Sequence, residues 1–246
     1  MCGRYVQASS PDLLAERFGV DEVRIEDHQP HYNVAPRAEV PAVRRREGRK
    51  ILSGLRWGLV PSWAKDPKVG DRQINARAES VADKPAYRKA FEKRRCLIPA
   101  DGFYEWKRQG EKRKQPMFVH LRSGEPMAFA GLWEIWKDPK VARSKDGGED
   151  EGWLRTCAIV TTDANDVLTP IHDRMPVILP EPAWDAWLDP DADPERLRRF
   201  LVPASDDLIA VYPVSPMVNS ADNDGPELVQ PFEPDPQLPN LEGEVQ

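Results

Sequence analysis

Short strand-like segments separated by turns dominate the middle of the sequence and restrict the folds that it can adopt. They are apolar, rich in β-branched and aromatic residues, and separated by Gly-containing turns at Gln109-Gly110 and Ser123-Gly124. The segments are Cys96–Pro99, Phe103–Lys107, Met117–Leu121, Met127–Trp136 and Trp153–Thr161. Successive strands joined by short turns are typical of antiparallel pairing, so this region predicts a mostly antiparallel sheet.

Helical patterns flank this region. Ser10 followed by Pro11 is a helix start, and Gly19 marks the end of the same short amphipathic segment. Residues 85–94 carry apolar side chains three and four apart and predict a second helix. Residues 40–45 and 50–59 predict two strands joined by a turn. Helices and an antiparallel sheet together predict an α+β fold.

Several segments show no clear periodicity of apolar residues. Residues 31–36 predict a loop, and residues 73–79 have too little apolar content to belong to the core. Residues 138–152 are polar and contain glycine, which predicts a surface loop between strands. Residues 226–246 combine prolines with acidic residues and predict a disordered tail. We therefore expect one domain over residues 1–225.

The composition is that of a soluble globular chain. Among 246 residues, 40% are hydrophobic and eight are tryptophan, which is ample material for a core. No apolar run approaches the ~18 residues of a membrane helix, and no signal peptide is visible, so we expect a cytoplasmic protein with no membrane partner. Cys96 and Cys157 lie in apolar runs without a CxxC pair and predict inert core thiols.

Charge is distributed unevenly along the chain. The net charge is −6, but residues 1–122 hold 26 basic and 16 acidic residues, whereas residues 123–246 hold 9 and 25. A bipolar chain of this kind favours one face that binds a polyanion. The alternative is that the basic runs are ordinary solvated surface.

The N-terminus carries an unusual nucleophile. Initiator methionine is normally removed before a small residue, which would leave Cys2 as the first residue. Its α-amine and thiol have reference pKa values of about 8 and 8.5, so both are partly nucleophilic near neutral pH. Such an aminothiol converts an aldehyde first into an imine and then into a thiazolidine ring. The alternative is that Cys2 merely follows Met1.

Two further residues are candidates for proton transfer. Glu105 lies among aromatic residues in a predicted strand, where an apolar pocket would raise the pKa of its carboxyl. An outward-facing glutamate beside a lysine is the alternative. His172 lies in a proline-bounded loop beside charged residues, which suits a proton carrier, although a surface histidine is equally compatible. The histidines lack zinc-ligand spacing, so we expect neither a metal nor a cofactor.

Basic and aromatic residues in the first half are candidate nucleic-acid contacts. Asn75 and Arg77 are two residues apart and would point the same way in an extended segment. Arg77 could seat backbone phosphates together with Arg4 and Arg174. Trp57 and Trp63 could stack on bases, although tryptophan is more often part of a core. The candidate nucleic-acid contacts are therefore Arg4, Trp57, Trp63, Asn75, Arg77 and Arg174.

Taken together, the sequence resembles the SRAP (SOS response-associated peptidase) family, whose members crosslink to abasic sites in single-stranded DNA. The resemblance covers most of residues 2–232. It rests on six motifs in family order: Cys2-Gly3-Arg4, Tyr32-Asn33-Val34-Ala35-Pro36, Arg56-Trp57-Gly58-Leu59-Val60-Pro61-Ser62-Trp63, Asn75-Ala76-Arg77-Ala78-Glu79, Gly102-Phe103-Tyr104-Glu105-Trp106 and His172-Asp173-Arg174-Met175-Pro176.

The resemblance implies a curved sheet closing into a barrel-like core with flanking short helices. It implies that Cys2 forms the crosslink, that Glu105 and His172 transfer protons, and that Asn75 orients the Cys2 amine. DNA contacts are implied for Arg4, Asn33, Pro36, Trp57, Trp63, Arg77 and Arg174. The implied partner is single-stranded DNA with abasic sites, including junctions with duplex DNA, bound by a monomer.

Two other functions remain open from the sequence. A cysteine peptidase would use the Cys2 thiolate against a peptide carbonyl with His172 as base, and removal of Met1 is the only cleavage that crosslinking itself requires. A non-covalent single-strand binder would leave Cys2 without a chemical role. Crosslinking is favoured because neither alternative needs the free amine.

Overall fold

The computed structural model describes residues 2–25, 28–110, 113–139 and 152–233. The predicted surface loop at 138–152 falls largely outside the described residues. The strands are β1 (Tyr5–Gln7), β2 (Glu22–Arg24), β3 (His31–Val34), β4 (Glu39–Arg46), β5 (Arg49–Trp57), β6 (Asn75–Arg77), β7 (Arg95–Ala100), β8 (Gly102–Gln109), β9 (Arg113–Leu121), β10 (Met127–Lys137), β11 (Trp153–Asp163), β12 (Arg174–Pro176) and β13 (Ile209–Pro213). The α-helices are α1 (Pro11–Phe18), α2 (Arg88–Lys93), α3 (Trp184–Leu188) and α4 (Pro194–Arg198).

The strands form two sheets, one of which closes on itself. The smaller sheet has the order β13-β9-β8-β1-β3. The larger has the order β12-β11-β10-β7-β4-β5-β2, and a parallel pairing between β11 and β5 joins its middle strands into a ring. That ring of β5, β4, β7, β10 and β11 is a small barrel of mixed strand direction. The prediction of a mostly antiparallel, barrel-like α+β fold is confirmed.

Two apolar clusters fill the structure. One packs helices against the larger sheet, with Phe91 of α2 and Trp187 of α3 fully buried. The other lies between the barrel strands and the smaller sheet and includes Trp57, Phe103 and Phe129. The second cluster also takes in residues from the start of the chain, so the N-terminus is part of the core.

Local sequence signals place helix α1 as expected. The hydroxyl of Ser10 accepts a hydrogen bond from the backbone N–H of Leu13 at 3.3 Å, and Pro11 occupies the first turn. Gly19 ends the helix with φ +60°, a left-handed conformation that suits glycine. The buried face of α1 carries Leu14 and Phe18. No helix in the described part of the chain is long and apolar enough to cross a membrane.

Two segments differ from their sequence-based predictions. The predicted loop at 31–36 contains strand β3, which pairs with β1 at the edge of the smaller sheet. The segment at 73–79, predicted to lie outside the core, contains β6, and its Ala76 and Ala78 are buried. In both cases the pairing strand comes from a distant part of the chain, so tertiary context decides the structure and local composition does not.

The first residues of the predicted tail are packed against the domain. Residues 226–229 form a short 3₁₀ turn, and Leu228 is completely buried against Val6 and Tyr104. Pro231 also bridges to Val214. Packed structure therefore extends to residue 233, because one leucine within the proline-rich stretch reaches an apolar cluster. Residues 234–246 lie outside the described part of the chain.

Candidate active site

Cys2 is held inside the protein by the strand that follows it. Strand β1 pairs with β3 on one side and with β8 on the other, so the first residues run into the smaller sheet. Cys2 is fully buried in the apolar cluster that includes Tyr5 and Trp57. Its thiol lies 3.9 Å from the carbonyl oxygen of Arg4. The position of Cys2 is therefore fixed by the fold.

The surroundings of Cys2 keep its thiol protonated. Burial raises the pKa of the Cys2 thiol well above its ordinary value, and the nearby carboxylate of Glu105 raises it further. A thiolate at this position would be both desolvated and next to a like charge. The resting thiol is therefore neutral and needs a base to activate it.

Asn75 fixes the backbone end of Cys2. Its side-chain amide nitrogen donates a hydrogen bond of 2.8 Å to the Cys2 carbonyl oxygen. The hydroxyl of Tyr87 in turn donates to the Asn75 carbonyl at 3.0 Å, and β6 is held in parallel register with β11. The amide oxygen of Asn75 is buried without a hydrogen-bond partner in the described part of the chain. An unsatisfied acceptor next to Cys2 suits a donor such as an amine or its adduct.

Glu105 points into the protein. It lies on β8 two residues after Phe103 and is only 3% exposed, so the alternative of an outward-facing glutamate is wrong. Burial raises the pKa of the Glu105 carboxyl, and the neighbouring His172 opposes the rise in part. Glu105 is thus close enough to Cys2 to raise the pKa of its thiol. His172 is close enough to Glu105 to lower the pKa of its carboxyl.

An open cavity of about 510 Å³ lies beside Glu105 and His172. Its other lining residues are Trp106, Arg108, Lys114, Thr169, Ile171 and Asp173. The Nδ1 atom of His172 accepts a hydrogen bond of 3.0 Å from the backbone N–H of Arg174. The same Nδ1 lies 2.8 Å from a carboxylate oxygen of Asp173, an ion pair once the imidazole is protonated. When Nδ1 of neutral His172 accepts the hydrogen bond from Arg174, Nδ1 carries no proton, so the proton of the imidazole lies on Nε2.

The arrangement combines a buried aminothiol residue, a carboxyl with a raised pKa and a histidine at the edge of a cavity lined by both basic and acidic residues. Comparison with known proteins identifies the family to which such a chain belongs. The family model described as SOS response associated peptidase (SRAP) matches residues 1–221. The chain belongs to the SRAP family.

Relatives in several organisms cover most of this SRAP chain. Abasic site processing protein YoqW of Bacillus subtilis is 44% identical over 232 residues, covering 94% of this chain and 99% of YoqW. Abasic site processing protein YedK of Escherichia coli is 32% identical, with coverage of 94% and 100%. A solved structure from Bacteroides thetaiotaomicron has a TM-score of 0.80 at 24% identity, covers 94% of this chain and 100% of its own, and supports the fold.

Two residues of the SRAP motifs have structural roles in place of the DNA contacts predicted for them. Trp57 is fully buried, and its indole N–H donates to the Ile74 carbonyl at 2.9 Å, so it cannot stack on a base. Asn33 is 4% exposed, and its amide nitrogen donates to the carbonyls of Val218, Ser220 and Asn223. Asn33 therefore holds a later segment of the chain against β3.

Two of the predicted phosphate contacts are engaged within the protein. Arg4 donates to the Asn33 amide oxygen at 2.9 Å and to the Val218 carbonyl at 3.2 Å. Arg174 has a side chain only 11% exposed and forms ion pairs with Glu79 and Asp163 at 2.7 and 2.6 Å. Because two carboxylates already compensate its charge, the structure does not support a phosphate contact by Arg174.

Other predicted DNA contacts remain accessible in this SRAP domain. Arg77 is exposed at the end of β6, Trp63 is 62% exposed, and Pro36 is partly exposed. No sequence motif pointed to Arg108 and Lys114, which face each other across the β8–β9 pairing at the cavity. Only the strand register brings these two cations together. No group of three or more potential metal ligands lies together in the described ranges.

Proposed function

We propose that this protein forms a covalent crosslink with abasic sites in single-stranded DNA through the α-amine and thiol of Cys2. The observation that carries this proposal is the position of Cys2 in an SRAP-family chain, tied by Asn75 and adjacent to a carboxyl whose pKa is raised. Relatives that are similar over nearly their whole length are named abasic site processing proteins. Removal of Met1 supplies the free amine.

The chemistry uses the ring-opened aldehyde of the abasic sugar. The amine nitrogen attacks the aldehyde carbon, and the resulting carbinolamine loses one water to give an imine. The sulfur then adds to the imine carbon, and the thiol proton ends on the nitrogen. One water leaves in total, no oxidant or reductant is consumed, and the product is a thiazolidine. The DNA strand stays intact because no phosphodiester bond is broken.

Glu105 and His172 supply the proton transfers that these steps require. The Cys2 thiol is neutral in its buried position, so ring closure needs an acceptor for the thiol proton. A carboxyl with a raised pKa both donates and accepts protons near neutral pH, which suits Glu105 for loss of the carbinolamine hydroxyl and for thiol activation. His172, partly exposed at the cavity, exchanges protons with solvent.

Binding to DNA relies on shape and phosphate contacts, since an abasic site offers no base to read. Arg77 and the cavity cations Arg108 and Lys114 suit phosphate oxygens, and exposed Trp63 suits a flanking base. The substrate is single-stranded DNA, including strands that adjoin a duplex. A monomer suffices because all these residues belong to one chain.

The electrostatics disfavour the peptidase alternative. A cysteine peptidase needs a thiolate, and such sites lower the pKa of the thiol through a nearby positive charge. Here burial and the Glu105 carboxylate raise the pKa of the Cys2 thiol by more than the positively charged N-terminus lowers it.

The proposal is tested by incubating the methionine-free protein with an oligonucleotide that carries one abasic site and measuring the intact mass of the product. We expect a heat-stable adduct with the mass of protein plus DNA less one water. A matched preparation with a tag left before Cys2 should give no adduct, because its amine is blocked. An adduct formed equally well by the tagged protein would show that the α-amine is not the nucleophile.

A further inference from the structure

A second cavity, this one basic, lies away from Glu105 and His172, on the β4–β5 side of the barrel. It has a volume of about 650 Å³, within the range of small-molecule sites. Five arginines line it together with a single carboxylate, that of Glu39, and its lining residues are Arg24, Glu39, Arg44, Arg45, Arg46, Ser53, Gly54, Trp133, Ile135 and Arg155. Its lining therefore carries a strong excess of positive charge.

The centre of this arginine cavity continues the faces of the barrel strands that carry the apolar core. Arg44 lies two residues beyond buried Ala42 on β4, and Arg155 lies two residues before buried Cys157 on β11. Alternation in a strand puts each pair on one face. Positions that continue a core face are ordinarily apolar, so arginines at both of them need another explanation.

Arg44 is the most constrained of these cations. Its guanidinium lies over the ring of Trp133 at 4.6 Å, and it donates a hydrogen bond to the Ser53 hydroxyl at 2.8 Å. Its Nε is buried without a hydrogen-bond partner in the described part of the chain. Burial lowers the pKa of Arg44, and the positive charge of Arg155 lowers it further. A stacked, half-buried cation that faces like charges gains most from a bound anion.

Two of the outer arginines, Arg45 and Arg46, are only weakly compensated, whereas Arg24 pairs with the less exposed Glu22. Arg45 pairs with Asp185 and Arg46 pairs with Glu47, but both carboxylates are more than two-thirds exposed. Ion pairs with exposed partners contribute little, so these arginines can turn toward a ligand at small cost. Glu39 carries the single negative charge of the lining, and its side chain lies against Gly54.

We propose that the arginine cavity binds a ligand carrying two or more linked phosphate groups. Guanidinium groups present several N–H donors in a fixed plane, which matches the spacing of phosphate oxygens. Several arginines around one space suit more than one phosphate, and Trp133 offers an aromatic surface beside them. The phosphates come either from a free oligophosphate or from the backbone of bound DNA, and both sources share this chemistry.

The test uses inorganic pyrophosphate as the probe, with binding measured by titration calorimetry on the full chain at low salt. The hairpin offers a matched pair of variants, because Arg46 and Arg49 face each other across β4 and β5 and are 64% and 58% exposed. Only Arg46 lines the cavity. Arg46→Gln and Arg49→Gln thus remove the same charge from adjacent surface positions, and neither should affect folding.

We expect saturable binding of pyrophosphate that is tighter than binding of orthophosphate. Arg155→Gln should weaken it about tenfold, since a hydrogen bond to a charged group contributes more than a neutral one. Arg46→Gln should weaken it less, and Arg49→Gln should leave it unchanged. Absence of saturable binding would overturn the proposal. Equal weakening by Arg46→Gln and Arg49→Gln would overturn it too, because diffuse charge on the hairpin would then explain the affinity.

A second measurement distinguishes the two sources of phosphate. If Arg155→Gln also weakens binding of an intact oligonucleotide and pyrophosphate competes with that DNA, the DNA backbone occupies the cavity. If DNA binding is unchanged and pyrophosphate does not compete, the cavity serves a free oligophosphate. Both results support the phosphate site. Crosslinking by Arg46→Gln at saturating abasic DNA should equal that of wild type, which separates this proposal from the proposed function.

Discussion

The two sites lie along one strand but are built in different ways. On β11, Ile159 pairs with Asn75 at the Cys2 site, and Arg155 lines the arginine cavity four residues earlier, about 13 Å away along the strand. Around Cys2, burial raises the pKa of the Cys2 thiol and of the Glu105 carboxyl, and a hydrogen bond from Asn75 holds the Cys2 backbone. In the arginine cavity, repeated positive charge dominates and few contacts are specific. The first arrangement suits a reaction, and the second suits reversible binding.

Cys2→Ala should produce the largest effect and should act on the first site alone. The methionine-free variant keeps the α-amine and loses the thiol, so it should form an imine that borohydride traps. Without the trap, the imine hydrolyses or promotes strand cleavage by β-elimination, because no sulfur closes the ring. Gel analysis should show a heat-stable adduct on uncut DNA for wild type, and transient adduct with nicked DNA for the variant.

Because the arginine cavity is separate from the Cys2 site, Cys2→Ala should bind pyrophosphate with the same affinity as wild type. A durable adduct on intact DNA from untrapped Cys2→Ala would mean that the thiol is dispensable and that the product is not a thiazolidine.

Glu105→Gln should slow crosslinking by about 10²-fold or more, the usual contribution of a positioned acid or base. The buried carboxyl must lose its proton to accept one from the thiol, so the wild-type rate should rise with pH through a pKa above the ordinary glutamate value. Single-turnover rates measured across pH should show this dependence in wild type and lose it in Glu105→Gln. An unchanged pH profile in the variant would assign the titration to another group.

The same raised pKa has a consequence for stability. Glu105 has a higher pKa in the folded than in the unfolded protein, so the folded state favours the protonated carboxyl. Its contribution to stability is therefore present at low pH and is lost as pH rises through the folded pKa. Glu105→Gln, which keeps the shape and cannot ionise, should unfold at a higher temperature than wild type near neutral pH. Thermal unfolding at two pH values measures this difference.

Asn33→Ala should destabilise the fold by about 3 kcal/mol, since it removes a buried hydrogen bond to the Val218 carbonyl and two partly buried ones to the carbonyls of Ser220 and Asn223. Urea unfolding measures the change. Asn223→Ala is the matched control: its amide makes one exposed hydrogen bond, to Met217, so its loss should cost under about 1 kcal/mol. If Asn33→Ala were as stable as wild type but bound DNA poorly, Asn33 would be a DNA contact after all.

The sequence predicted which candidate catalytic residues lie together better than it predicted which candidate DNA contacts are accessible. The four candidates lie in separate motifs whose order points to one family, and they are Cys2, Asn75, Glu105 and His172. The difference in burial between Trp57 and Trp63 cannot be inferred from the sequence, since both belong to one short motif. Only the pairing of β5 with β11 shows that Trp57 faces the core while Trp63 lies beyond it.

The arginines show the same limit. Composition counts their positive charges, but the structure decides which charges are already compensated. Glu79 lies 95 residues before Arg174 in sequence, so their ion pair depends on how β12 is placed beside β11 and cannot be inferred from local spacing. The arginine cavity, likewise, takes its residues from strands β2, β4, β5, β10 and β11, whose register the sequence does not specify.

Arg77→Ala should give the smallest effect, and it separates a free cation from a compensated one. Arg77 lies opposite Thr161 in the strand register, and Arg174 donates to the Thr161 carbonyl, so the two arginines occupy one neighbourhood. Arg77 is exposed and forms no ion pair within the described part of the chain, whereas Arg174 is held by two carboxylates.

Removing Arg77 should weaken binding to abasic and intact single strands alike, because a phosphate contact carries no base information. In a plot of log affinity against log salt, measured by fluorescence anisotropy, the slope for Arg77→Ala should be shallower than that of wild type by about 0.7. Arg174→Ala should leave the slope unchanged. An equal change in slope for Arg174→Ala would mean that its ion pairs open when DNA binds, and a loss of affinity for abasic strands alone would move Arg77 to the reaction centre.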